Sequence, residues 1–131
     1  MAAEAASLVV EVVPPPDVRV LTFVPADGDR RLERGHHPAE RLARELGGRW
    51  RLPVARLLVR GAGSRRQRGL PLAERRRNVR GAFRAAGRAP VSVCLVDDVY
   101  TSGATVDAAS TALRAAGARR VEVVCFARAV R

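Results

Sequence analysis

The sequence predicts an α/β domain with a mainly parallel sheet flanked by helices. Three observations carry that expectation. Apolar, β-branched runs alternate with segments of helical periodicity. The runs are nearly continuous rather than alternating, as strands covered on both faces require. The length, 131 residues, suits one hydrophobic core and is short for two, so residues 1–131 are read as a single domain. Apolar residues make up 47% of the chain but aromatics only 4%, so the core is expected to be mostly Val, Leu and Ala.

The elements follow in order. Residues 1–17 are the least defined part, because LVVEVV (8–13) suits an extra strand or a helical remnant. VRVLTFV (18–24), preceded by Pro14 to Pro16, reads as a buried strand. PADGDRRLERGHH (25–37) is a polar loop with turn residues at Asp27-Gly28. Pro38 suits a first helical position, and Ala39, Leu42, Ala43 and Leu46 recur at helical spacing until Gly47-Gly48, which is expected to stop the helix. VARLLV (54–59) is a second strand. GAGSRRQRG (61–69) has no periodicity and reads as a mobile loop, and PLAERRRNVRGAF (71–83) can form a short basic helix. VSVCLV (91–96) is the most continuous apolar run and the best candidate for a central strand. Val106, Ala109, Leu113 and Ala116 form a helical stripe closed by Gly117, and VEVVCFA (121–127) is a last strand.

Composition narrows the function classes. No apolar run approaches the about 20 residues a membrane helix needs. The N-terminus carries acids and no basic region ahead of an apolar one, unlike a signal peptide, so a cytoplasmic protein is expected. Cys94 and Cys125 lie in strand-like runs without metal-binding spacing, so both are expected as small core residues and no zinc is expected. The net charge is +11 and all 24 basic residues are arginine. Residues 60–88 hold ten arginines against one acid, Glu74, so the excess is local and suits a phosphorylated ligand or a polyanion. A solvated basic face explains the charge alone equally well.

The chemistry concentrates in VCLVDDVYTSGATV (93–106). In a parallel sheet, ligands bind beyond the carboxyl ends of the strands, where helix N-termini point. Asp97 to Thr105 occupies that place. Thr101, Ser102 and Thr105 offer hydroxyls, and Gly103 lets the backbone turn so that successive N–H groups face one concavity. With the dipole of the following helix this makes an anion pocket. Asp97 and Asp98 would repel a phosphate unless they serve something beside it, and vicinal sugar hydroxyls suit them. A plain strand-to-helix turn with Asp and Thr as caps needs one such residue, not the whole series.

LVDDVYTSGAT resembles the phosphoribosyl pyrophosphate (PRPP) motif of type I phosphoribosyltransferases. By that resemblance the acidic pair binds the ribose 2′ and 3′ hydroxyls, here Asp98 and Asp97, and Thr101, Ser102, Gly103, Ala104 and Thr105 hold the 5′-phosphate. QRGLPLAERRRNVRGAF (67–83) is similar to a stretch of the ComF-like, competence-associated branch, through Gln67, Gly69, Leu70, Arg75, Asn78, Gly81, Ala82 and Phe83. RRLERGHHPAERLARELG (30–47) is similar to a second segment of that branch. The resemblance spans about residues 18 to 131. It implies a Rossmann-like type I phosphoribosyltransferase fold, with Arg30, Arg31, Arg34 and Gly35 at the pyrophosphate. It also implies a flexible lid that includes Arg65, Arg66, Gln67 and Arg75. Forked guanidinium groups suit a concentrated anion, and a closing lid would exclude water.

The departures matter as well. Members of that branch usually carry an N-terminal four-cysteine zinc module and a further segment before the first strand. Neither is seen here, so the hood that supplies much of the acceptor pocket is expected to be reduced or absent. The Phe-Asn-Gln of the first loop is replaced by His36-His37-Pro38. Thr101 stands where hypoxanthine-guanine enzymes of this fold have an aspartate, which disfavours purine salvage of that type. The resulting expectation is a protein that binds PRPP or a related phosphoribosyl ligand with Mg²⁺, the metal on the ligand's oxygens and assisted indirectly by Asp97 and Asp98. Turnover, the acceptor and the catalytic residues stay open. The rivals are a competence factor holding single-stranded DNA or competence proteins through the basic segment, and a PRPP-sensing regulator. The shortage of aromatics for base stacking counts against the DNA reading.

Overall fold

The computed structural model describes residues 2–26, 37–61, 82–100 and 103–128. In chain order the elements are α1 (Ala2–Val12), β1 (Val20–Phe23), α2 (Pro38–Trp50), β2 (Leu58–Arg60) and β3 (Phe83–Ala85), followed by β4 (Ser92–Tyr100), α3 (Ala104–Ala115) and β5 (Arg120–Arg128). β4 is the centre. It pairs in parallel with β1 on one edge, Val20 opposite Val93 and Phe23 opposite Val96, and with β5 on the other, Ser92 opposite Arg120 and Asp97 opposite Cys125.

The outer edge of β1 is extended by a single parallel bridge between Leu21 and Val54. There the Leu21 N–H donates to the Pro53 carbonyl at 2.9 Å, and the Ala55 N–H donates to the Leu21 carbonyl at 3.0 Å. The expected strand over 54–59 is therefore divided. Its start lies against β1, and its end, β2, pairs antiparallel with β3 in a separate two-stranded sheet.

Strand alternation sends side chains into two cores. Leu21, Phe23, Cys94, Val96 and Val124 pack against α1 and α2, through Ala6, Val9, Leu42, Ala43, Leu46 and Trp50. Val20, Val24, Val93 and Leu95 face Val106, Ala109 and Leu113 of α3, together with Leu58 and Phe83. Covering both faces explains why these strands read as unbroken apolar runs. Thr22 is the polar exception on β1. It is fully buried, and its Oγ1 accepts the Leu57 N–H at 3.2 Å, which removes the cost of burying a bare hydroxyl. Val, Leu and Ala dominate both cores as expected, and Cys94 is a fully buried core residue, whereas Cys125 is only half-buried.

One open alternative is decided and three elements differ from expectation. LVVEVV belongs to α1, whose Ala6 and Val9 are buried in the first core. α2 does not stop at Gly47-Gly48 but continues to Trp50. Arg51 ends it in the left-handed conformation (φ 56°), with the Leu52 N–H donating to the Gly47 carbonyl at 2.9 Å. Pro53 then prevents further helix. Gly47 serves close packing instead, since a Cβ there would lie 2.5 Å from Val54 Cγ2 and 2.9 Å from the Leu52 carbonyl oxygen. The basic helix expected over 71–83 cannot include Phe83, which lies in β3, and its remainder lies outside the described residues. Finally, β4 runs four residues past Val96, so the acidic pair sits inside the strand and not in the loop after it.

The two glycines of α2 separate the two roles that glycine plays. Gly47→Ala is expected to destabilise the fold by about 2 kcal/mol, because the new methyl meets backbone and a buried valine. Gly48→Ala, with nothing within 4 Å of its Cβ, is expected to stabilise by about 0.5–1 kcal/mol through helix propensity alone. Urea denaturation of the two variants checks both signs, and equal effects would refute the packing role.

Candidate functional site

The carboxyl ends of β1 and β4 and the N-terminus of α3 meet at one end of the sheet. β4 delivers Asp97 there by alternation: Val93 and Leu95 point into the α3-side core, and Asp97 continues that row. The row is apolar, so the carboxyl is drawn into the protein, where it is 7% exposed. Its Oδ1 accepts the Asp98 N–H at 2.9 Å. Asp98 lies beside it, half-buried.

Burial makes the Asp97 charge expensive. Loss of water is the largest effect, followed by a hydrogen bond to the Asp98 side chain and that carboxylate's charge. Together they push the Asp97 carboxyl from 3.8 up to about 7. The Asp98 N–H and the positive charge of Arg60 pull in the opposite direction without cancelling the shift. Half-buried Cys125, opposite Asp97 on β5, has its thiol pushed up to about 11 by burial and by the two nearby acids.

Arg60 is a site residue that sequence reasoning missed. It ends β2, and its Nε donates to the Pro25 carbonyl just past β1 at 3.0 Å. Its guanidinium lies over the Phe83 ring, 4.9 Å from the centroid. β2–β3 pairing sets this stack, since Arg60 and Phe83 are direct cross-strand partners. The available signal was the spacing from Leu58 to Arg60 at the end of a strand, but it was one arginine among 24.

Gly103 precedes α3 in the left-handed conformation (φ 82°, ψ −11°), a backbone setting that glycine adopts without penalty. Its carbonyl accepts the Asp107 N–H at 2.8 Å and so starts the helix. Gly103, as the N-cap, offers no side chain to α3, and the positive end of the helix dipole lies at this N-terminus, near the end of β4. Gly103, Ala104 and Thr105 therefore stand with Asp97, Asp98 and Arg60 at one end of the sheet. Thr101 and Ser102 lie outside the described residues, as do Arg30, Arg31, Arg34, Gly35, Arg65, Arg66, Gln67 and Arg75. Chemically, the arrangement offers a paired carboxylate for hydroxyl or cation partners next to a backbone anion cradle, with one cation beside the acids.

Among the described residues, no helix is long and apolar enough to cross a membrane. No family model matches the chain. It is 34% identical over 111 residues to Competence protein F of Haemophilus influenzae, an alignment that covers 81% of this chain and 48% of that protein. The chain thus spans about half the length of this curated relative. Among solved structures, it is similar to an allosteric regulatory enzyme of purine biosynthesis, with a TM-score of 0.63 and 22% identity, covering 95% of this chain and 25% of that one. It is also similar to a purine phosphoribosyltransferase from Pyrococcus horikoshii, with a TM-score of 0.54 and 19% identity over 97% of this chain and 72% of that one. For an orotate phosphoribosyltransferase from Aeropyrum pernix the TM-score is 0.56 and the identity 18%, over 96% of this chain and 70% of that one. With the parallel order β1-β4-β5 and the acidic pair at the end of the central strand, these likenesses show a type I phosphoribosyltransferase-like fold in a chain whose sequence is ComF-like over most of its length.

Proposed function

We propose that the site binds PRPP or a closely related phosphoribosyl ligand. The observation that carries this reading is the juxtaposition of an acidic pair, buried Asp97 and half-buried Asp98, with a glycine-started helix N-terminus at the carboxyl end of a parallel sheet. A phosphate alone would be repelled by Asp97 and Asp98, and a neutral sugar alone would leave the helix end without a counter-charge. A phosphorylated ribose satisfies both.

In this reading Asp98 and Asp97 accept hydrogen bonds from the 2′ and 3′ hydroxyls, and the segment from Thr101 to Thr105 holds the 5′-phosphate. Arg60 counters the negative charge that gathers beside the acids. The pyrophosphate falls to Arg30, Arg31, Arg34 and Gly35, with the segment containing Arg65, Arg66, Gln67 and Arg75 closing over it. Mg²⁺ fits this donor set, because paired carboxylate oxygens are hard ligands, and it would neutralise pyrophosphate as that group departs. If the protein turns over, a nucleophile replaces pyrophosphate at C1 of the ribose. The protein's part is then to hold the ribose and phosphate in position and exclude water. The competence name of the relative gives a second reading, single-stranded DNA held by the +9 segment over residues 60–88 without turnover.

Isothermal titration with PRPP and Mg²⁺ separates the two readings. Saturable binding is expected, weakened at least about 100-fold in the Asp97→Asn/Asp98→Asn double variant, which loses charge-assisted hydrogen bonds to two hydroxyls. Absence of PRPP binding together with steeply salt-dependent binding of oligonucleotides would sink the proposal in favour of the DNA reading.

The shift at Asp97 has its own sign. A folded-state value raised to about 7 favours the folded protein fully below pH ~4, and that contribution is lost as pH rises through 7. Between pH 5 and 8 the ligand-free protein should lose roughly 2 kcal/mol that Asp97→Asn does not lose, measured by urea denaturation at both pH values. PRPP affinity should move the other way and rise across the same interval, since the acceptor form of Asp97 is the ionised one. A pH-independent difference between the wild type and Asp97→Asn would rule out a raised Asp97.

A further inference from the structure

At the end of the sheet opposite Asp97 and Asp98, four arginines converge from three parts of the chain. Arg19 leads into β1, and its N–H donates to the Ser92 carbonyl at 3.2 Å and to Ser92 Oγ at 3.0 Å. Arg119 and Arg120 lead into β5, and their N–H groups donate to the Val91 carbonyl at 2.8 and 3.0 Å. Arg88 precedes Ala89, whose N–H donates to the Ala116 carbonyl at 2.9 Å. The Arg88 stem passes Gly117, its Cγ 3.9 Å from where a Cβ on that glycine would stand. Backbone bonds thus hold all four around the start of β4. Arg19 and Arg120 flank Ser92 on neighbouring strands, about 10 Å apart at Cα by two strand spacings.

All four side chains are exposed. Among the described residues, no acid pairs with Arg19, Arg88 or Arg119. Arg120 meets Asp17 and Glu122 only at 3.9 Å each, exposed contacts that hold it weakly. Val91 stands among these arginines and is 54% exposed. A single exposed valine is ordinary, but an apolar centre with arginines around it has the make-up of a protein contact. A nucleic acid fits less well. Asp17 and Glu122 stand beside Arg120 and interrupt the positive surface, which a continuous row of phosphates would meet. None of the residues that form the surface offers an aromatic ring on which a base could stack. A polypeptide can place its carboxylates on chosen arginines and avoid both acids.

We infer that the amino end of the sheet is a docking surface for an acidic segment of a partner protein. Carboxylates of that segment meet Arg19, Arg88, Arg119 and Arg120, and an apolar side chain between them covers Val91. The backbone bonds keep the surface in place before docking, so only side chains are ordered by it. Asp97 lies five residues along β4 from Ser92, about 16 Å away, so docking leaves the acidic pair open. The inference does not depend on what that pair binds.

Amide NMR titration of the full chain with the capped peptide Glu-Glu-Glu-Leu-Glu-Glu-Glu tests the surface. Saturable shifts are expected at Val91, Ser92, Arg119 and Arg120, with a dissociation constant below about 1 mM at low salt. Arg19→Glu/Arg119→Glu should weaken binding at least about tenfold by setting like charges against the peptide. Val91→Ser, and separately replacement of the peptide's leucine by serine, should each weaken it about threefold or more. The amide spectrum of each variant verifies the fold, and Arg88→Glu gives an independent charge reversal if the double variant does not fold. No shift at these amides up to about 5 mM peptide, or binding indifferent to both charge reversals, would overturn the surface. A single-stranded oligonucleotide of about 20 residues that shifts these amides while the peptide does not would overturn the protein partner. So would binding that follows the arginines but ignores Val91 and the leucine.

Discussion

Everything in this structure is placed relative to β4, the strand that has neighbours on both edges and a core on both faces. Val93, Cys94, Leu95 and Val96 are all fully buried, and full burial of each such side chain contributes about 1.5–3 kcal/mol. That burial fixes the register of the whole sheet, because a slip of one residue would exchange the rows facing the two cores. It also fixes where Asp97 ends up. The carboxylate inherits its burial from the apolar row to which it belongs.

This inheritance explains how the site is poised. A carboxyl forced into an apolar row resists ionising, and in Asp97 the resistance is increased by Asp98 and only partly relieved by Arg60 and a backbone N–H. Such a group costs stability in the empty protein and rewards a partner that supplies hydroxyl donors or a cation. The helix end has the opposite character, because the dipole of α3 concentrates partial positive charge there. One end of the sheet therefore holds an acceptor-rich half at Asp97 and Asp98 and an electropositive half at the N-terminus of α3. A ligand carrying hydroxyls and phosphate on one small frame satisfies both halves together, whereas water satisfies each only separately.

Much of this was legible in the sequence, for identifiable physical reasons. A strand buried on both faces leaves an unbroken apolar run, so β1 and β4 were visible; β5 showed as an apolar run although Val123 and Phe126 are exposed, and the stripe of Val106, Ala109 and Leu113 marked α3. The acidic pair and its glycine stood out because no structural requirement asks for that series. Gly47 was misread because glycine signals both a stop and a close approach, and only the contact with Val54 distinguishes them. β2 and β3 were obscured because three-residue strands carry too few alternations to be counted. Arg60 was hidden by abundance: where every basic residue is arginine, residue type no longer marks a site. Its role emerges only from the Phe83 stack and the bond to the Pro25 carbonyl.

The same reasoning separates the two ends of the chemistry by what holds them. Asp97, Asp98 and Gly103 are fixed by elements that the two cores depend on, so their geometry is a by-product of folding. Arg60 reaches the acids from the small β2–β3 sheet, whose place is set by Leu58 and Phe83 in the α3-side core. The cation thus belongs to a different structural unit from the acids it faces, and the two units meet over the Pro25 carbonyl. A shift of β2 and β3 as one body would change the charge felt by Asp97 without disturbing the parallel sheet. Such an arrangement lets the protonation of Asp97 report the position of β2 and β3.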